Sequence, residues 1–182
     1  MCSLLQPIRL NLGAGAVRRP DGYINVDMNP RTAPDVLAKL PALPFKADSI
    51  DAIYTSHFLE HLTDEDAIEM MGEIYRVLKL GAAAYCVVPY ALSHAHIQDP
   101  THKSGWVPEK FLYFTPHFFV LHNSFEQRFQ LRNWSQTKEE VTAVLVKAAG
   151  GEACTCPVCA GIGPPETRKS RWSKIEKEGL DA

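Results

Sequence analysis

A chain of 182 residues with 46% hydrophobic side chains is long enough for one sizeable core and too short for two full domains. Its formal charge of −2 and pI near 6.4 supply no global field that draws it to nucleic acid or an anionic membrane. The first seven residues lack a basic stretch running into an apolar one, and no segment approaches the roughly 18 apolar residues of a spanning helix, so the expectation is a cytoplasmic protein without a membrane partner. Cys154, Cys156 and Cys159 are bunched while Cys2 and Cys86 stand alone, which suits metal or redox chemistry in a reducing compartment better than a secreted disulfide framework.

In chain order, residues 8–12 form an apolar strand ending at glycine, and residues 23–27 a second, bounded by Asp21-Gly22 and Asn29-Pro30. Residues 35–37 make a very short third strand; residues 50–55 and 82–88 make a fourth and fifth. Between those two lies the clearest helix, opened by the capping-box-like Thr63-Asp64-Glu65-Asp66, carried by Ala67, Ile68, Met71, Ile74, Tyr75 and Leu78 at helical spacing, and closed by Lys79 and Gly81. Residues 90–105 turn polar and histidine-rich, as a loop or lid, and residues 108–114 read as a helix with proline in its first turn. Residues 125–134 and 141–146 follow as an antiparallel hairpin at the sheet edge, with helix as the competing reading of the second. The sum is one α/β domain over residues 1–149, mostly parallel, its ligand crevice at the carboxyl ends of the strands, and a tail over residues 150–182.

The stretch Leu10-Asn11-Leu12-Gly13-Ala14-Gly15-Ala16-Val17-Arg18 puts two glycines at one of those carboxyl ends. A dinucleotide site wants a third glycine, where Arg18 stands, and an acid about 20 residues on; Asp27 comes twelve after Gly15. Only seven residues separate Gly15 from Tyr23, so the first crossover helix is short or missing and a phosphate loses its usual helix N-terminus. No Gly-Lys-Ser/Thr follows, which excludes a Walker loop. S-adenosylmethionine (SAM) fits what is left: close backbone approach, and a carboxylate for two ribose hydroxyls. The alternative is a plain tight turn with Asp27 capping the next segment.

Four ordered motifs weigh on that choice: residues 40–45 (LPALPF), 48–53 (DSIDAI), 56–62 (SHFLEHL) and 73–81 (EIYRVLKLG). Together they resemble the class I SAM-dependent methyltransferases, particularly the small proteins described only as predicted methyltransferases, over residues 8–120. The resemblance implies a seven-stranded Rossmann-like sheet with SAM across strands one, two and four. It places Gly13, Ala14 and Gly15 along the methionine and ribose, Asp27 on the ribose hydroxyls, Met28 beside adenine, and Ser56 and His57 at the pocket edge. Lys39 stands where the family commonly has an acid for the adenine amino group, leaving that contact to backbone near Leu40. Lys79-Leu80-Gly81-Ala82 replaces the family's Lys-Pro-Gly-Gly.

Methyl transfer needs an aligned nucleophile and often a base. Neither Thr55-Ser56-His57-Phe58 nor Val88-Pro89-Tyr90 matches the Asp/Asn-Pro-Pro-Tyr turn of DNA amino-methyltransferases, which disfavours a base acceptor. The general-base candidate is His102 with Asp99, in the segment that leaves the fifth strand. A turn stabilised by Asp99 and a metal site from His94, His96 and His102 are the alternatives. His57 and His61, four apart, read as pocket wall or helix cap. Phe111, Tyr113, Phe114, Phe118 and Phe119 read as acceptor pocket or, by the commoner rule, core.

Cys154-Thr155-Cys156-Pro157-Val158-Cys159-Ala160-Gly161 resembles one knuckle of a zinc ribbon; it offers three of the four ligands a structural zinc needs, with Cys86, a histidine or another chain as the fourth. Beyond it Arg168, Lys169, Arg171, Trp172, Lys174 and Lys177 form a basic end open to nucleic acid or an acidic partner, diluted by Glu166, Glu176, Glu178 and Asp181. The functional expectation is a SAM-dependent methyltransferase acting on an O or N of a small molecule, sugar or nucleotide. Its rival is a methyltransferase-like scaffold that binds through a zinc-knuckle tail.

Overall fold

The structure is a computed structural model and describes residues 6–16, 22–116 and 129–148. Seven strands, β1 (Arg9–Leu12), β2 (Tyr23–Asp27), β3 (Val36–Leu37), β4 (Ile50–Ser56), β5 (Leu78–Pro89), β6 (Phe129–Gln136) and β7 (Glu140–Lys147), form one sheet in the order β3-β2-β1-β4-β5-β7-β6. The first five pair in parallel, while β7 runs antiparallel to both β5 and β6. The late hairpin is therefore real, and residues 141–146 are strand rather than helix. Its turn is closed by Thr137, whose Oγ1 accepts the amides of Glu139 and Glu140 at 3.2 and 2.9 Å.

The central helix, α1 (Asp64–Val77), starts where its caps predict: Thr63 Oγ1 accepts the Asp66 amide at 3.1 Å, and three acids fill the first turn against the helix dipole. Its end differs from expectation. Leu78 leaves the helix directly into extended backbone and opens β5, so Lys79 and Gly81 lie in the strand. The β4–β5 register shifts between Ile50 and Ala52, and the exposed Gly81, at φ +80°, absorbs the bend in the strand opposite. Two shorter helices follow β5, the one-turn α2 (His94–Ile97), capped by Ser93, and α3 (Pro108–Leu112). Residues 125–128 of the expected sixth strand, Phe118 and Phe119 of the aromatic stripe, and the tail with Cys154, Cys156 and Cys159 lie outside the described residues.

Cross-strand register sorts the sheet into two faces that behave differently. Leu10, Ile53, Ala84 and Leu145 lie on one face and are fully buried, joined in one core by Met70, Met71, Ile74 and Val77 of α1 and by Phe111 and Leu112 of α3. Trp106 packs against Phe111 and Phe114, all buried, which makes these two members of the aromatic stripe core, with Tyr113 partly buried against them. The other face carries Arg9, Tyr23, Ala52, Tyr54, Tyr85, Val144 and Val146, all partly or largely exposed. Among the described residues no helix packs on it. The link from β1 to β2 spans residues 13–22, of which 17–21 lie outside the described set, and is too short for a crossover helix of ordinary length; β2 reaches β3 through a single 3-10 turn at Pro30–Thr32. A shallow dent on this face, lined by Arg9, Tyr23, Asp51, Ala52, Tyr54 and Tyr85, sits toward the amino ends of β1 and β2, away from the carboxyl ends of the strands. Among the described residues no helix is long and apolar enough to cross a membrane.

Glu73 and Arg76 of α1, which belong to one of the sequence motifs, clasp the 41–46 loop. Glu73 Oε2 accepts the Leu43 amide at 2.9 Å, and Arg76 donates to the Leu43 and Phe45 carbonyls at 3.1 and 2.9 Å and to Glu73 itself. The Arg76 hydrogen bond, aided by the Leu43 amide and opposed by burial, holds the Glu73 carboxyl below its ordinary pKa. A carboxyl lowered in this way contributes stability above its unfolded-state pKa, about 4.3, and loses it as pH falls through the lower folded value. Arg76→Ala is expected to cost about 1–2 kcal/mol in urea denaturation at pH 7, and to flatten the acid limb of stability below about pH 4.3. An unchanged acid limb contradicts the clasp.

Candidate functional site

The carboxyl ends of β1, β2 and β4 converge on the two glycines. Gly13 and Gly15 both adopt positive φ, +62° and +54°, so the turn after β1 is left-handed twice within three residues. Asp27, buried at the end of β2, closes it: Oδ2 accepts the Gly15 amide at 2.7 Å and Oδ1 the Asn29 amide at 2.8 Å. Ala14 donates to the Val26 carbonyl at 3.2 Å. The carboxylate thus faces the glycine turn, and each oxygen keeps a second lone pair.

The two glycines are required for different reasons. Among the described residues a Cβ on Gly15 meets nothing within 4 Å, so they leave the space over it open. A Cβ on Gly13 falls within 2.4 to 2.6 Å of the Phe58 side chain. The neighbour that comes close to Gly13 is an aromatic ring from the β4 side, which sequence reasoning missed because nothing in SHFLEHL marks Phe58 as pointing across the sheet edge. Gly13→Ala is expected to destabilise by about 2–4 kcal/mol, from left-handed strain plus overpacking, against about 1 kcal/mol for Gly15→Ala. Thermal melts of both, and a combination with Phe58→Ala that is less than additive, check the contact.

Of the other expected contacts, Met28 projects 62% exposed just past β2, and Leu40 is partly buried against the core. Ser56 ends β4, half-buried, beside Val87. His57 follows at φ +51°, unusual for a residue with a Cβ, with its amide bonded to the Val87 carbonyl at 3.0 Å. That twist turns its ring toward two carboxylates: Nε2 lies 3.0 Å from Glu140 Oε1, and Nδ1 lies 3.5 Å from Glu60 Oε1.

A second group of side chains lies one turn further on. The 3-10 turn Leu59–His61 after β4 carries Glu60 and His61, and the segment after β5 brings Asp99, Thr101 and His102 against them. Lys103 and Ser104 donate their amides to the Glu60 carbonyl at 2.7 and 3.1 Å, fixing the two segments together. His102 is nearly buried, its Nδ1 2.9 Å from the His96 carbonyl. His61 meets it edge-on and His96 stacks on it. Asp99 Oδ2 is 3.6 Å from His102 Nε2, beyond a hydrogen bond; the other Asp99 oxygen accepts both the amide and hydroxyl of Thr101. The pair expected as base and orienter is brought together, with the ring oriented by a backbone carbonyl instead of the carboxylate. Glu60 is fully buried, and burial raises its carboxyl pKa against the pull of its own amide and of His57, His61 and His102. Among the described residues the metal-competent cluster is Glu60, His61 and His102; exposed His94 is not part of it, nor is His96, which corrects the His94-His96-His102 set. Cys86, named as a possible fourth zinc ligand, is fully buried between β4 and β7, its thiol pushed up to about 12 by burial.

A family model described as a methyltransferase domain matches residues 19–86. Solved structures resemble the fold across most of the chain. A chain of the Haloferax volcanii complex between the Trm112 methyltransferase activator and a methyltransferase is 16% identical with a TM-score of 0.59, over 79% of this chain and 83% of that one. The fold is that of the SAM-dependent methyltransferases. A SAM-dependent methyltransferase from Archaeoglobus fulgidus is 17% identical with a TM-score of 0.56, over 78% and 87%. The geranyl diphosphate C-methyltransferase of Streptomyces coelicolor A3(2), solved with Mg2+, geranyl diphosphate and S-adenosyl-L-homocysteine, is 10% identical with a TM-score of 0.59, over 78% and 71%. No curated protein matches the chain significantly in sequence. These findings agree with the class I methyltransferase family that the motifs resemble, with the glycine turn and Asp27 at the carboxyl edge of a methyltransferase sheet.

Proposed function

We propose that this chain is a SAM-dependent methyltransferase acting on an oxygen or nitrogen of a small molecule. The observation that carries the reading is the Asp27 carboxylate, buried, fixed by the Gly15 and Asn29 amides, and beside space over Gly15 that the described residues leave open. Two lone pairs not used by those amides suit a ribose diol, and the bare main chain at Gly15 admits a nucleoside where a side chain would not. Met28, exposed at the rim, and backbone near Leu40 fall to the adenine side, and Gly13 and Ala14 to the methionine side. Bound there, SAM supplies an electrophilic methyl group. The chain's own part is positional: it holds the nucleoside between β1 and β2 and leaves the edge after β4 and β5, with Ser56 and His57, to the acceptor. Transfer to a neutral oxygen or nitrogen releases a proton, and the imidazole–carboxylate pairs at that edge, His57 with Glu140 and His102 with Asp99, are the groups that take it.

The scaffold reading draws on one observation, the Phe58 side chain lying on Gly13. Calorimetric titration with SAM separates the two. The transferase reading expects saturable binding that weakens by more than about tenfold in Asp27→Ala while circular dichroism stays native, and S-adenosylhomocysteine formation on adding a competent acceptor. No heat of binding in the unmodified chain leaves the scaffold.

A further inference from the structure

The charge behind the turn after β4 has no part in holding a nucleoside. Among the described residues both carboxylate oxygens of Glu60 are buried and without a hydrogen-bond partner, with His57 Nδ1 3.5 Å from Oε1. A carboxylate buried without a hydrogen bond costs several kcal/mol unless a cation or a proton joins it. What surrounds it is a set of nitrogen donors. One ligand atom from each of Glu60, His61 and His102 lies within 4.8 Å of the others, and His102 Nε2 is 3.9 Å from Glu60 Oε1.

The hydrogen bonds around the two rings assign their tautomers. Thr101 donates its hydroxyl proton to Asp99 Oδ1 at 2.6 Å, so its oxygen is left to accept from His61 Nδ1 at 3.1 Å, and Nδ1 carries the proton. The His96 carbonyl only accepts, so His102 Nδ1 carries its proton as well. Both neutral rings keep their lone pair on Nε2, and each is oriented by an outer partner, a carbonyl for His102 and a Thr101–Asp99 relay for His61. That is the arrangement in which imidazole ligates a metal.

We propose that Glu60, His61 and His102 bind one divalent transition-metal cation of the zinc type. Two imidazoles and a carboxylate suit zinc, whereas magnesium and calcium prefer all-oxygen shells. Around a tetrahedral zinc such ligand atoms sit about 3.3 Å apart, so the set closes by at most about 1.5 Å from its present spread. The cation neutralises Glu60, rivets the segment after β5 onto the turn after β4, and recasts Asp99 from partner of a base to the end of a relay that holds His61. It takes His102 out of proton transfer and leaves that task to His57 with Glu140.

The test needs neither SAM nor an acceptor, so its failure is distinct from failure of the transferase reading. The full chain is stripped with chelator and titrated with Zn2+ and with Co2+, beside a full-length Cys154→Ser, Cys156→Ser, Cys159→Ser chain in which the tail thiolates no longer count. The serine chain is expected to bind one equivalent of Zn2+, to melt at a higher temperature with it in a chelator-reversible way, and to give Co2+ ligand-field bands free of thiolate charge transfer. His61→Ala, His102→Ala together abolish that equivalent, and Glu60→Gln weakens it by more than about tenfold. A serine chain that binds no zinc and shows no such melting shift overturns the site, as does stoichiometry that survives loss of both histidines. If the histidine or glutamine variants fail to fold, the Co2+ spectrum and melting shift of the serine chain decide alone.

Discussion

The Asp27 carboxylate is the constraint on which the ligand-facing edge of this sheet depends. One buried charge accepts the amide of Gly15 after β1 and the amide of Asn29 after β2, so a single group ties the two loops together. Charge-assisted bonds of this length are stronger than neutral ones, and here they are made by the same atoms that a nucleoside diol would address. The turn is therefore shaped before any ligand arrives. Its geometry also explains why positive φ occurs at both glycines: left-handed backbone at each aims the Gly15 amide back at β2.

The second determinant is the uneven covering of the sheet. Parallel strands are ordinarily buried on both faces and read as continuous apolar runs. Here β4 and β7 alternate buried and half-exposed positions, because among the described residues α1 and α3 cover one face and no helix covers the other. In place of packing, that second face has polar ties. Asn11 donates to Asn25 Oδ1 at 2.9 Å, and Asn25 gives both its amide and its side-chain nitrogen to Asp35 Oδ2 at 2.8 and 2.9 Å, linking β1, β2 and the approach to β3. Strand pairing there rests on hydrogen bonding more than on apolar burial.

Features with a local physical cause were legible in the sequence. Residues 23–27 match β2 because turn residues bound them on both sides, and α1 begins at its Thr63 cap. The hairpin was readable from two apolar runs around a polar turn. Features made by residues far apart were not. Gly81 looked like a helix stop, yet Leu78 pairs with Ile50 and pulls the chain straight into β5, a cross-strand bond that no window of sequence displays. Glycine spacing told that something approaches the turn, but not that at Gly13 the neighbour is Phe58, 45 residues on. Asp99 and His102 were found as neighbours in the chain, while the buried Glu60 that meets His102 was visible only as one letter of a family motif. Its meaning depends on the segment after β5 folding back over it.

Fold alone does not settle chemistry, since function lives in the site grafted on the scaffold. The sheet order and the likeness to solved methyltransferases give the fold, and the case for SAM binding returns to one carboxylate and one glycine that the described residues leave open. A crystal structure grown with S-adenosylhomocysteine tests that most directly. The account predicts the ribose over Gly15 with both hydroxyls on the Asp27 carboxylate. A ligand bound elsewhere, with Asp27 meeting only its two backbone amides, would contradict it.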